Sequence, residues 1–446
     1  MTLHTGQAEL PWHLKGNWEP VFEEVTETEL EVTGEIPREL NGRYMRAGMN
    51  PRSGYSDHWF FGNGMIHSVE LREGRAVSYR NRYVRTPYYE KDMGMMDGFA
   101  SLEYSPANTS VLRHANRILC LEEAHFPWQI APDLETVGCV DFGGRLNTPM
   151  TAHPRICPQT DEMLFFGYQI MNTDTFVTYH RVDAAGSLVQ SEPIEIPRPV
   201  MMHDWNVTRH HVIFMDLPLC FELESGGFHW APEHGARLGV MPRTGTNADV
   251  VWYEIDPCFV FHPMNAYEDG DRIVIDVARL PRAMAGGMHD VGQDRQEMWR
   301  WTIDRAAGNV HEEKWEDRPS DFCRVDDRRV GLPARWGYAM ALMPGTGGAP
   351  GIEYGEELYK YDLEHRTTEV HALGKAVKGG EPVFAPRSAD AEEDDGWVMA
   401  LCHDENVGRS KLVILDARDF SAEPVAQVHL PVRVPYGAHG NWMPGI

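Results

Sequence analysis

Phe259-Val260-Phe261-His262-Pro263-Met264-Asn265-Ala266-Tyr267-Glu268-Asp269 opens as an apolar run of aromatic and β-branched residues with one imidazole set inside it. Three more histidines stand in similarly short apolar or small-residue settings. They are His153 in Thr-Ala-His-Pro, His203 in Met-Met-His-Asp-Trp and His439 in Gly-Ala-His-Gly-Asn-Trp. Consecutive members of the set lie 50, 59 and 177 residues apart. Neutral imidazole suits iron, copper, zinc and nickel. Ligands spaced this widely converge only in a fold that brings distant strands to one axis, so the histidines and the fold pose one question. Any single histidine of this kind is more often a satisfied core residue than a ligand, because a metal needs several converging groups.

Outward from these positions the chain reads as strands. Runs rich in β-branched and aromatic residues recur, each closed by Gly, Pro, Asn or Asp: residues 116–121, 162–168, 211–215, 271–277, 396–401 and 411–415. This is the signature of meanders. The last two predict a hairpin joined by residues 402–410. Helical periodicity is confined to short possibilities at residues 281–287 and just before Leu332. An all-β chain of 446 residues without a domain-sized linker suggests paired sandwiches or a propeller, and only a propeller offers a central axis shared by different sheets. Seven blades would take about 64 residues each. No blade-level repeat is visible.

Composition narrows the function. A net charge of −26 argues against nucleic acid, which needs a basic surface. The first residues carry no basic segment followed by an apolar one, and no window is long enough for a membrane span. The expectation is a soluble, cytoplasmic protein forming one domain over residues 1–446, with residues 1–20 as an N-terminal arm. Seven scattered cysteines, none in CxxC spacing, read as reduced thiols. Residues 345–351 are glycine-rich but follow no βα pattern, so they form a loop and not a phosphate cradle. No organic cofactor is expected.

Residues 43–51 (Arg-Tyr-Met-Arg-Ala-Gly-Met-Asn-Pro), residues 58–67 (His-Trp-Phe-Phe-Gly-Asn-Gly-Met-Ile-His) and the four histidine contexts together resemble the carotenoid cleavage oxygenase family, which includes stilbene- and phenylpropene-cleaving enzymes. The resemblance runs from about Gly34 to the C-terminus. It implies a seven-bladed β-propeller, with loops forming a cap over a central non-haem Fe(II) held by His153, His203, His262 and His439. It also implies that dioxygen is the co-substrate and that a conjugated C=C is cleaved to two carbonyl products. Three carboxylates would orient the ligating imidazoles. Glu123 and Glu381 match two of them, and Asp321 stands where the family carries a glutamate. One methylene shorter, Asp321 would reach its histidine through a water or a moved backbone. Thr109 matches a threonine near the open metal position, although a threonine at a strand start also serves local backbone.

The implied substrate is a small hydrophobic conjugated alkene. Relatives acting on 4-hydroxystilbenes place a lysine directly before the first of these glutamates. Here that position is Glu122, and no lysine occurs between Lys91 and Lys314. A carboxylate repels a developing phenolate, which favours an apocarotenoid. Tyr88, Tyr89 or Tyr104 could still hold a phenol, and isoeugenol-type phenylpropenes stand as the alternative. Leu238–Met241 and Met284–Met288 are the candidates for a peripheral lipid contact. A non-catalytic propeller used as a binding module is a rival from another class. A zinc hydrolase on the same fold is a second, weakened because catalytic zinc usually keeps three protein ligands and a water.

Overall fold

Seven antiparallel sheets, each built as a meander of neighbouring strands, stand around one axis in the computed structural model, which describes residues 10–169, 175–222, 227–286, 294–344 and 352–446. In chain order the innermost strands of blades two to seven are Ser110–His114, Arg155–Ile156, Asn206–Val207, Phe259–Asp269, Ser320–Val325 and Val383–Pro386. Blade one is completed from the far end of the chain: Gly440–Pro444 lies on the inner side of Gly42–Met49, with Arg46 opposite Gly440 and Gly42 opposite Pro444. The other end returns the exchange, since Val32–Gly34 pairs with Ala426–His429 on the outer edge of blade seven. Ring closure removes the free edges that an open stack would expose.

Propeller strands lie between two other sheets, which is why they read as near-continuous apolar runs. Along Gly396–Asp404, Trp397, Met399 and Leu401 pack with Tyr44, Val69 and Tyr79 of blade one, while Val398, Ala400 and Cys402 pack with Tyr338, Met340 and Tyr354 of blade six. Alternate side chains point to opposite faces of a strand, and here both faces meet a neighbouring blade. The same division recurs around the ring, for example Met264, Ala278 and Met298 of blade five against Tyr359 and Tyr361 of blade six.

Several local expectations change. The hairpin strands are Gly396–Asp404 and Arg409–Asp416, with Asp404 opposite Arg409. Its connection is therefore only residues 405–408, and Cys402, His403 and Ser410 belong to the strands. Residues 281–286 form no helix, and the segment before Leu332 is a single 3-10 turn, Asp327–Arg329. Leu238–Met241 is no lipid-facing patch: it lies in the strand Ala236–Pro242 with Leu238 and Met241 fully buried. Met284 is buried as well, whereas Met288 and residues 345–351 lie outside the described residues. All seven cysteines are free thiols. No helix among the described residues is long and apolar enough to cross a membrane. The described part of the N-terminal arm is packed down, with Trp18 edge-on to Trp59, Tyr354 and Tyr436.

Candidate metal centre

Each blade delivers one side chain to the axis from the start of its inner strand. His439, Thr109, His153 and His203 come from residues just before the inner strands of blades one to four, His262 and Asp321 from within those of blades five and six, and Glu381 from just before that of blade seven. Two of these strands are irregular at the axis. The register of Phe259–Asp269 shifts on both sides of Pro263, which has no N–H to give. That of Ser320–Val325 shifts after Asp321, where Phe322 takes a left-handed φ of 55°. Bulges of this kind re-aim side chains. The last segment, Gly437-Ala-His-Gly440, passes so close to blade one that a Cβ on Gly437 would sit 2.7 Å from the Ala47 carbonyl and one on Gly440 2.9 Å from that of Met45. Small residues there let His439 reach the axis.

The four imidazoles meet. One ring nitrogen from each of His153, His203, His262 and His439 lies within 4.8 Å of the other three. All four residues are more than nine-tenths buried. Nε2 of His203 is 3.1 Å from that of His153 and 3.3 Å from that of His262. Two nitrogens about 2.1 Å from one ion and at right angles to it stand about 3.0 Å apart, so the spacing fits a shared cation.

Carboxylates decide which nitrogen points inward. His203 donates from Nδ1 to Glu123 Oε2 at 2.6 Å, His262 to Asp321 Oδ1 at 3.0 Å and His439 to Glu381 Oε1 at 2.8 Å. With Nδ1 protonated, each Nε2 presents a lone pair to the centre. Facing lone pairs repel one another, and a cation between them turns that repulsion into ligation. The Asp321 contact is direct, so of the two routes open to its shorter side chain no bridging water is needed; the strand is irregular beside it, where its register shifts and Phe322 takes a left-handed φ. Tyr168 donates to the second oxygen of Glu123 at 2.7 Å, and Gln296 to that of Asp321 at 2.8 Å. Glu381 also accepts the Gly440 N–H at 2.7 Å and faces Arg324 at 3.4 Å.

Burial pushes a carboxyl pKa up, but His439, Arg324 and the Gly440 amide together hold Glu381 down at about 2. Burial and the neighbouring imidazoles keep His153 well below the usual histidine range. Burial lowers His262 too, against the pull of Asp321. It also opposes charge on His203, where the Glu123 carboxylate prevails and raises the pKa. His153 has a looser anchor, Asp204 at 3.5 Å, itself gripped by Arg155 at 2.6 and 2.8 Å.

Sequence reasoning passed over Asp204, Arg324, Tyr168 and Gln296. Asp204 directly follows a singled-out histidine, and Arg324 lies three residues after Asp321, so both were near a signal. Nothing local marks Tyr168 or Gln296.

A cleft of about 1140 Å³, its open mouth included, reaches His203, His262 and His439. Trp12, Trp59, Phe60, Phe261, Phe322 and Ile352 form much of its apolar wall. Thr109 lines it while donating to Asn108 Oδ1 at 2.9 Å, so its hydroxyl is engaged locally as well. No lysine or arginine lines it among the described residues. Neither do Tyr88, Tyr89 and Tyr104: Tyr88 donates to the Phe61 carbonyl, Tyr89 pairs with Arg85 and Tyr104 with Lys91. Glu122 does line the cleft, but not as a bare charge, because its Oε2 sits 2.5 Å from His125 Nδ1. A second, more polar cavity of about 1290 Å³ reaches the same centre past Arg155, Asp204 and Arg324 and touches His153.

A family model described as retinal pigment epithelial membrane protein matches residues 18–444. The chain belongs to that family, the carotenoid cleavage oxygenases. Among them it is 34% identical to a carotenoid cleavage oxygenase of Mycobacterium tuberculosis, over 99% of both chains. It is 31% identical to an isoeugenol monooxygenase of Pseudomonas putida, over 96% of this chain and 97% of that one. Its fold superposes on a lignostilbene dioxygenase of Pseudomonas brassicacearum with a TM-score of 0.89 at 28% identity, covering 98% and 100% of the two chains. Like these carotenoid cleavage oxygenase relatives, the protein is an oxidoreductase.

Proposed function

We propose that the protein binds one Fe(II) at His153, His203, His262 and His439 and uses dioxygen to cleave a conjugated C=C of an apocarotenoid-type substrate to two carbonyl products. The donor set fits the metal: four buried neutral imidazoles suit iron and leave it positions for small molecules. Bound iron(II) would supply the dioxygen chemistry. The protein's share is to fix the ligands through Glu123, Asp321 and Glu381, to present the substrate beside them and to keep bulk water out. Thr109 sits on the cleft wall where it restricts what can approach the centre. The observation that carries the substrate class is the apolar cleft without a lysine or arginine, which suits a long polyene and offers no cation to a phenolate.

A second substrate class, phenylpropenes, is favoured by one specific feature. Glu122 shares its charge with His125, so a neutral phenol entering the cleft would not face an isolated anion.

Fe(II)-loaded protein given an apocarotenal and isoeugenol separately, with and without dioxygen, tests the proposal through aldehyde products identified by mass spectrometry. Oxygen-dependent aldehyde from the polyene alone supports the apocarotenoid assignment. Vanillin from isoeugenol would move the protein to the phenylpropene class. Stoichiometric iron in protein purified without added metal would exclude a non-catalytic binding module, and turnover without oxygen would revive a hydrolase.

A further inference from the structure

Glu122 and His125 are buried titratable groups on and behind the cleft wall that no ligating histidine uses. Glu122 follows directly on the strand Arg117–Leu121 of blade two, one residue before the glutamate that orients His203. Glu122 lines the same cleft as His203, His262 and His439, so a group it holds lies in the space that leads to the metal centre.

The two carboxylate oxygens differ. Oε2 accepts the Ala124 N–H at 3.0 Å and faces His125 Nδ1 at 2.5 Å. Oε1 accepts no hydrogen bond among the described residues, although Glu122 is nine-tenths buried. That oxygen is open to the cleft, where water meets it in the free protein and a ligand hydroxyl can take the water's place.

His125 fixes the proton count. Its Nε2 is 3.0 Å from the Gly98 carbonyl, which can only accept. Both neighbours of the ring are therefore oxygens that accept or share a proton. Either the ring is doubly protonated beside a carboxylate, or the proton of the 2.5 Å contact lies on Oε2 and Nδ1 accepts it. In both placements the pair has no net charge and Oε1 is an acceptor. Burial disfavours the charged ring, but the Glu122 carboxylate and the two hydrogen bonds move the balance the other way and raise the pKa. Phe99 lies over the ring at 6.0 Å and 19°, which fixes its plane.

We propose that Glu122, backed by His125, is a specificity-determining residue whose Oε1 accepts a hydrogen bond from a neutral hydroxyl at one end of the alkene substrate. The chemistry is that of a hydroxyl donor, phenolic or alicyclic. It is not that of a phenolate, because the pair supplies no positive charge in excess. For the reaction this rests on the oxygenase function proposed above; the binding step stands apart from it.

The test therefore uses saturated analogues that cannot be cleaved. Binding of 4-propylphenol and of 4-propylanisole to the metal-loaded protein is measured through the fluorescence of Trp12 and Trp59, which line the cleft. A 3-hydroxycyclohexyl ring bearing a saturated alkyl chain and its deoxy counterpart form the second pair. The hydroxylated member of at least one pair is expected to bind about 10- to 100-fold more tightly, the range of a hydrogen bond to an ionised partner. The pair that shows the preference tells a phenol from an alicyclic alcohol. Glu122→Leu should erase the preference and leave the affinity of the other member within about threefold in protein that remains folded and iron-loaded, at a melting temperature lowered by the loss of the His125 and Ala124 contacts. Equal affinities within both pairs for the wild-type protein would overturn the proposal without recourse to any variant. So would a preference that persists in folded, iron-loaded Glu122→Leu. If instead no conjugated alkene is turned over while the hydroxyl preference holds, the oxygenase function fails and the binding site stands.

Discussion

At the residue scale, the four histidines differ in how firmly they are held. His203, His262 and His439 each have a direct carboxylate partner, whereas His153 has only Asp204 at 3.5 Å. On the proposed iron site His262→Ala removes one of four ligands, so it is expected to cut bound iron and oxygenase activity about tenfold or more, measured by metal analysis and assay of purified protein. Retention of both would sink the ligand assignment. Asp321 bears on a finer point. From sequence alone a glutamate there should serve as well or better, because the family carries one. The folded site argues otherwise: Oδ1 meets His262, Oδ2 meets Gln296, and the side chain is 3% exposed. An added methylene has to displace a packed neighbour at about 1–3 kcal/mol. Asp321→Glu should therefore lower both the melting temperature and iron retention, and unchanged values would show that the bulge at Phe322 relaxes to admit the longer side chain.

At the scale of elements, the bulged inner strands of blades five and six exchange ladder regularity for aim, placing His262 and Asp321 in contact across two blades. Other strands bury histidines that have nothing to do with the centre. His180, in Val177–Val182, lies between Thr148 at 2.7 Å and Ser191 at 2.9 Å, and burial pushes its pKa down to about 3. Burial lowers His403 to about 4 in the same way. An unfolded histidine titrates near 6.5. Between about pH 6.5 and these depressed values the unfolded chain binds protons that the folded chain does not. The folding contribution of each group is therefore complete above about pH 6.5 and is lost as the pH falls toward 3 or 4. Unfolding free energies from urea melts should decline between pH 7 and pH 5, by up to about 1 kcal/mol per pH unit for His180 and by less for His403. His180→Gln should flatten that decline; an unaltered slope would show that His180 takes up its proton equally in both states.

At the scale of the whole molecule, both chain ends are structural parts of the ring. Deleting residues 440–446 removes the strand that completes blade one and the amide that steadies Glu381. The product should lose cooperative thermal unfolding and bound iron together, which circular dichroism and metal analysis would follow. A sharp transition at the original temperature would mean that the ring closes without that strand. The strand-rich all-β character was legible because apolar runs punctuated by turn residues are a local property; local context made His153, His203, His262 and His439 candidates only, and it was the family resemblance that joined them as one set. Glu123, Asp321 and Glu381 were legible through family resemblance. The tertiary structure alone decided that Asp321 reaches His262 directly, since that depends on a bulge. It alone brought in Tyr168 and Gln296, which approach from other parts of the fold. It also turned Leu238–Met241 from a surface candidate into core, because hydrophobicity does not say which face of a strand another blade will cover. Glu122 shows the division most clearly: sequence fixes its charge type and its place beside Glu123, but only the fold, by setting His125 against one oxygen and leaving the other to the cleft, decides that it acts as an acceptor and not as a bare anion.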